Sequence, residues 1–101
     1  MRGLLVIFFS YIYIGSSIAQ KTATLLGKVV DENAKPLSGV SVEILGKQKG
    51  TVTNDSGLFK LSVTPNKIAG IVFSYVGYVS VQKNITLSVG ETENITIKLK
   101  R

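Results

Sequence analysis

The chain has 101 residues, too few for two ordinary domains, and carries no histidine, cysteine or tryptophan. Without cysteine it can form no disulfide, and without histidine it lacks the usual near-neutral general base and the commonest metal ligand. Twelve Lys and Arg against six Asp and Glu give a net charge of +6, but most of the lysines stand singly, at 28, 35, 60, 67 and 83. Nucleic-acid binding calls for a clustered basic stripe with arginine and exposed aromatics, so none is expected; scattered lysines describe a solvated surface and blunt sheet edges.

The first nineteen residues have the layout of a secretory signal peptide. Met1 and Arg2 supply the positive start, and Gly3 to Gly15 is an uncharged apolar run. Ser17 and Ala19 then place small residues at −3 and −1 before Gln20. An uncleaved anchor is the alternative, but a spanning helix needs about 17–25 apolar residues and this run is shorter. The expectation is a leader over 1–19 and one domain over 20–101, small enough to bury one thin core.

From Thr22 onward the pattern is β. Thr22 to Asp31 predicts a first strand with Leu25 and Val29 on one face. Asp31 to Pro36 is a turn, built from Asx side chains and a proline. Val40, Val42 and Ile44 alternate with polar residues and point inward. Gly46 to Gly50 is a polar loop.

Thr51 to Thr53 and Leu58 to Val63 are predicted as a hairpin around Asn54-Asp55-Ser56-Gly57, with Gly57 at positive φ. Phe59, Leu61 and Val63 face inward; Lys60 and Ser62 face out. Gly70 to Tyr78 is an apolar, β-branched and aromatic run, which predicts a strand buried on both faces, bent or bulged at Gly77. Phe59 is the packing partner expected for it. The four aromatics beyond the leader, Phe59, Phe73, Tyr75 and Tyr78, are all assigned to the core. Val79 and Val81 continue the alternation, and Ser88 to Glu91 contains a turn. Ile95, Ile97 and Leu99 line one face of a last strand. Seven or so short strands, with turns about every ten residues, predict an all-β antiparallel sandwich.

Little chemistry is available. Asp31, Glu32, Asp55, Glu91 and Glu93 fall in or beside turns, and Glu43 faces out of a strand, so no pair of acids lines a cleft. Asn54 to Gly57 is read as a turn; it lacks the later bidentate Glu of a calcium loop. Asn54, Asn84 and Asn94 each begin an N-x-S/T triplet, of the kind alternating strands produce by chance. No catalytic, cofactor-binding or metal-ligating residue is assigned, and no cofactor.

Three stretches carry a family resemblance. Gly27-Lys28-Val29-Val30-Asp31-Glu32, with Pro36-Leu37-Ser38-Gly39-Val40-Ser41-Val42, resembles the pattern GxVxDxxxxPLxGVxV. Gly50 to Phe59 resembles GxxTxxxGxF, and Ser74-Tyr75-Val76-Gly77-Tyr78 matches SYVGY. In order and spacing they resemble the carboxypeptidase regulatory-like domain, from about Gly27 to Leu99. The resemblance implies a transthyretin-like seven-stranded sandwich. In Bacteroidota such a domain commonly sits behind a signal peptide at the N-terminus of SusC-like TonB-dependent receptors.

That receptor continues into a plug and a long barrel, so transport does not carry over to these residues. A purine-pathway hydrolase shares the fold but depends on histidines and a C-terminal Tyr-Arg-Gly-Ser; this chain has neither. The expectation is a non-catalytic exported module in the periplasm or at the outer membrane. Its partner would be protein, an outer-membrane receptor or that receptor's periplasmic partners, with neither nucleic acid nor a small-molecule ligand. The alternatives are the opening piece of a SusC-like receptor and a carbohydrate-binding module; an exposed Tyr75 or Tyr78 would favour the last.

Overall fold

The computed structural model describes residues 21–101, so the expected leader lies outside the described residues. Seven strands follow one another: β1 (Ala23–Val30), β2 (Ser41–Ile44), β3 (Gly50–Val52), β4 (Leu58–Val63), β5 (Ala69–Ser74), β6 (Val81–Ile85) and β7 (Thr92–Lys98). They form two facing sheets, one ordered β4-β1-β7 and the other β3-β2-β5-β6. Every pairing is antiparallel except β1 with β7, which run parallel from Thr24↔Thr92 to Val30↔Lys98. The β-sandwich class is as expected; the parallel pair is its departure from an all-antiparallel pattern.

Alternation decides which residues meet between the sheets. Ala23, Leu25 and Val29 of β1 face the core with Phe59, Leu61 and Val63 of β4. The opposing sheet contributes Val42, Ile44, Ile71, Phe73 and Ile85. Phe59 and Phe73 meet edge to face at 5.5 Å across the middle, the partnership the sequence predicts. Gly27, the register partner of Phe59, leaves the space that ring occupies: a Cβ there would lie 2.6 Å from two ring carbons. Among the described residues the core cluster runs from Ala23 to Leu99.

Two expectations are corrected. β3 and β4 are not a hairpin. β3 pairs with β2 and β4 with β1, so the chain changes sheet at Asn54–Gly57. Thr53 fixes that crossing: its buried hydroxyl donates to the Leu37 carbonyl at 2.6 Å and accepts from the Val40 N–H at 2.9 Å, tying the end of β3 to the entrance of β2. Beyond it, Val29 N–H donates to the Gly57 carbonyl at 2.8 Å and delivers the chain to β1, with Gly57 at φ +75 as predicted.

The central run is likewise not buried on both faces as far as Tyr78. β5 ends at Ser74, and only Ile71 and Phe73 are fully buried in it, because its sheet has the core on one face and solvent on the other.

The topology sorts the loops to two ends. At the near end, where β1 begins, lie residues 45–49, 64–68 and 86–91. At the far end lie residues 31–40, 53–57, 75–80 and 99–101.

Candidate protein-contact surface

The far end is built around Tyr75-Val76-Gly77-Tyr78. Tyr78 N–H donates to the Tyr75 carbonyl at 3.0 Å, and Gly77 has φ +90. A third turn residue at positive φ is the type II geometry, for which glycine is the usual occupant. The predicted conformational role of Gly77 therefore holds, in a tight turn rather than within a strand.

The turn carries its side chains out of the sheet. Val76 is 94% exposed and Tyr75 37%. The expectation that all four aromatics are core residues is thus corrected at Tyr75. With β5 stopped at Ser74, the alternation that would have turned its ring inward no longer applies. Tyr78 is half-buried against the core.

This turn is held on several sides. The Tyr75 and Tyr78 rings lie 5.7 Å apart, and the Arg101 guanidinium stands over Tyr78 at 4.9 Å from the ring centroid. Val79 N–H donates to the Lys100 carbonyl at 2.7 Å, pinning the segment to the chain that continues β7. Tyr75 also closes on Gly39, at φ +80, where a Cβ would lie 3.6 Å from the ring. An open depression lined by Gly39, Ser41, Ser74, Tyr75 and Val76 lies on one side. On the other, Val79 and Val81 are bordered by Lys98, Lys100 and Arg101. The surface therefore offers an exposed valine, an aromatic pair and cations on a braced frame. Tyrosine and arginine are the residue types enriched among the energetic anchors of protein interfaces.

Asp31 and Glu91 hold loops. Asp31 Oδ1 accepts from the N–H groups of Asn33 and Lys35 at 2.8 and 2.9 Å. The Lys35 N–H is the main cause holding the Asp31 carboxyl below its ordinary range; partial desolvation opposes it, and Asn33 and the Lys35 and Arg101 charges assist. Glu91 Oε1 accepts from Ser88 N–H at 2.7 Å in its own turn. Asn54 Oδ1 accepts from the N–H groups of Ser56 and Leu58, the Asx-turn chemistry expected of that segment. Among the described residues no three His, Cys, Asp or Glu side chains gather as a metal cluster would require.

The sequence reading assigned no functional residue and did not anticipate that Tyr75 and Val76 are exposed or that Arg101 stands over Tyr78. A signal was available: glycine two places after Tyr75 marks a type II turn, which would have ended the strand early.

The comparisons with known proteins cover almost the whole domain. TonB-dependent receptor P39 of Formosa agariphila is 29% identical over 98 residues, which is 97% of this chain and 8% of the receptor. TonB-dependent receptor SusC of Bacteroides thetaiotaomicron is 30% identical over 93 residues, 86% of this chain and 9% of the receptor. The chain thus spans less than a tenth of the length of either relative.

Among solved structures, a cohesin-X-dockerin complex from Acetivibrio cellulolyticus aligns with TM-score 0.64 at 18% identity, over 76% of this chain and 56% of that one. Catechol 1,2-dioxygenase from Pseudomonas arvilla aligns at 0.63 and 12%, over 85% and 54%. Likeness at those identities is likeness of fold alone. The CarboxypepD_reg-like domain pattern, by contrast, matches residues 25–101, from the second inward residue of β1 to the arginine over Tyr78, and this chain belongs to that family.

Proposed function

We propose that this chain is the exported, non-catalytic N-terminal module of a TonB-dependent receptor system, working by protein contact through its far end. The observation that carries the contact reading is Val76, held almost wholly in water on a braced turn between two tyrosines. Burying such a side chain in a partner is worth about 1.5–2 kcal/mol. Two receptors that resemble nearly the entire chain support the setting, as do the leader-like residues 1–19 ahead of a domain over 20–101. Whether the module serves alone or opens a longer receptor is decided by the coding sequence that follows Arg101. An in-frame or frameshifted plug and barrel there favours the second.

The purified module, immobilised and challenged with detergent-solubilised outer membrane, tests the reading. Retention of a TonB-dependent receptor barrel is expected, with loss in a Val76→Asp variant. Equal recovery by both proteins, or recovery by neither, overturns it.

A second reading has its own observation. Tyr75 is partly exposed beside the Ser41 and Ser74 hydroxyls, an arrangement on which a sugar ring can stack. Calorimetric titration with oligosaccharides separates the readings: heat abolished by Tyr75→Ala supports sugar binding, and no heat with any glycan removes it.

A further inference from the structure

We infer that the near end of the sandwich is a membrane-surface contact, seating on an anionic bilayer with Leu45 and Ile68 inserted and the surrounding lysines at the headgroups. Leu45 is 59% exposed and Ile68 76%, and they come from different loops. Both border one notch of about 90 Å³, whose other lining residues include Lys47 and Lys67 and no carboxylate. That volume is far below the roughly 300–1,000 Å³ of small-molecule sites, so the notch is part of a contact face and not a ligand pocket.

The exposure is built into the loops. Leu45 N–H donates to the Gly70 carbonyl at 2.8 Å, and Lys47 Nζ donates to Thr64 Oγ1 at 3.3 Å, joining the two loops. Asn66 N–H donates to the Leu87 carbonyl at 2.7 Å and ties in the third loop, which carries the half-exposed Val89.

Charge separates the two ends. The near-end loops have Lys47, Lys49 and Lys67 against Glu91, a net of +2. The far end has Lys35, Lys100 and Arg101 against Asp31, Glu32 and Asp55, a net of zero. The near-end loops contain no aromatic and no arginine, so the residue types that anchor protein interfaces are absent from them. Protruding aliphatics ringed by lysine are instead what a bilayer interface accepts: apolar burial at the acyl boundary, with ammonium groups among anionic headgroups.

Co-sedimentation of residues 20–101 with phosphatidylcholine vesicles, with and without phosphatidylglycerol, tests this. Partition into the anionic vesicles is expected, weakening with salt. Each lysine near the surface contributes about fivefold, so Lys47→Gln, Lys49→Gln and Lys67→Gln together should weaken partition on the order of a hundredfold. Leu45→Ser with Ile68→Ser should weaken it about tenfold or more. Tyr75→Ser at the far end should leave it unchanged. All these positions are exposed, and matching thermal melts will show that the variants fold.

The chain has no native cysteine, so an environment-sensitive dye attached at Ile68→Cys should shift to the blue on adding anionic vesicles. Equal binding to pure phosphatidylcholine, no binding to anionic vesicles, or loss by Tyr75→Ser alone overturns the inference. Binding of an acidic apolar peptide in solution without vesicle binding also overturns it and reassigns the face to a protein partner.

Discussion

Replacing Gly27 by alanine puts one methyl group where the sandwich has no room for it. The added carbon would lie 2.6 Å from Cε1 and Cζ of Phe59 and 2.8 Å from the Ile95 carbonyl oxygen. Neither neighbour yields freely. Ile95 belongs to β7, whose backbone is bonded to β1 along its length, and the Phe59 ring packs edge-on against Phe73 at 5.5 Å. Overpacking of this kind costs about 1–3 kcal/mol. Displacing the aromatic pair costs about 0.5–1.5 kcal/mol more. Against these stands about 0.5–1 kcal/mol gained from the lower unfolded-state freedom of alanine.

The expected net loss is about 0.5–4 kcal/mol; at the middle of that range, about 2 kcal/mol, Tm falls on the order of 10–15 °C for a domain this small. Urea and thermal unfolding followed by circular dichroism measure it. The cause can be isolated by a second change: Phe59→Leu should cost less in the Gly27→Ala background than in the parent, with a coupling of about 1 kcal/mol or more. A Gly27→Ala protein that melts at or above the parent refutes the packing argument.

Gly77→Val should cost about 1–3 kcal/mol through backbone strain alone, since no atom stands within 4 Å of the added carbon; Gly77→Asn should cost less, and an unshifted thermal melt would contradict the positive φ. Thr53→Val strands the Val40 N–H and the Leu37 carbonyl and should cost about 1–3 kcal/mol, whereas Thr53→Ser keeps both bonds and should recover most of the loss in the same urea titration. Asp31 has a folded pKa held below its ordinary 3.8, so its stabilisation is present above that value and is lost as pH falls through the lowered one. Asp31→Asn keeps the acceptor oxygen but not the titration, so its unfolding midpoint should lose part of the parent's acid dependence; identical pH profiles would count against the assignment.

Period-two alternation was a reliable guide to which side of a strand is buried. Leu25 and Val29, the Val40–Ile44 triplet and the Phe59–Val63 triplet all lie inward as their spacing requires. Alternation carries no information on which strand lies alongside. Hence β3 and β4, adjacent in sequence across a good turn, could be read as a hairpin although they belong to different sheets. The parallel β1–β7 pair joins segments some seventy residues apart and left no local trace. Thr53 looks like any strand-surface threonine until both of its partners, distant in sequence, close around the hydroxyl. At the contact surface, composition misled: an apolar aromatic run was taken as continuous strand, whereas the glycine inside it ends the pairing and sends Tyr75 and Val76 into solvent. Arg101 over Tyr78 depends on β7 returning beside the turn, which follows from topology alone.

The proposed role is protein contact through the Tyr75–Tyr78 turn. In-cell photo-crosslinking tests it most directly, with the photoreactive residue placed at Val76 and, for comparison, at the exposed Leu58 and Thr96 on the opposite sheet. A discrete adduct with an outer-membrane receptor or a periplasmic protein is expected from position 76, and none from positions 58 and 96. Adducts of equal yield from all three positions, or none from Val76, would contradict it.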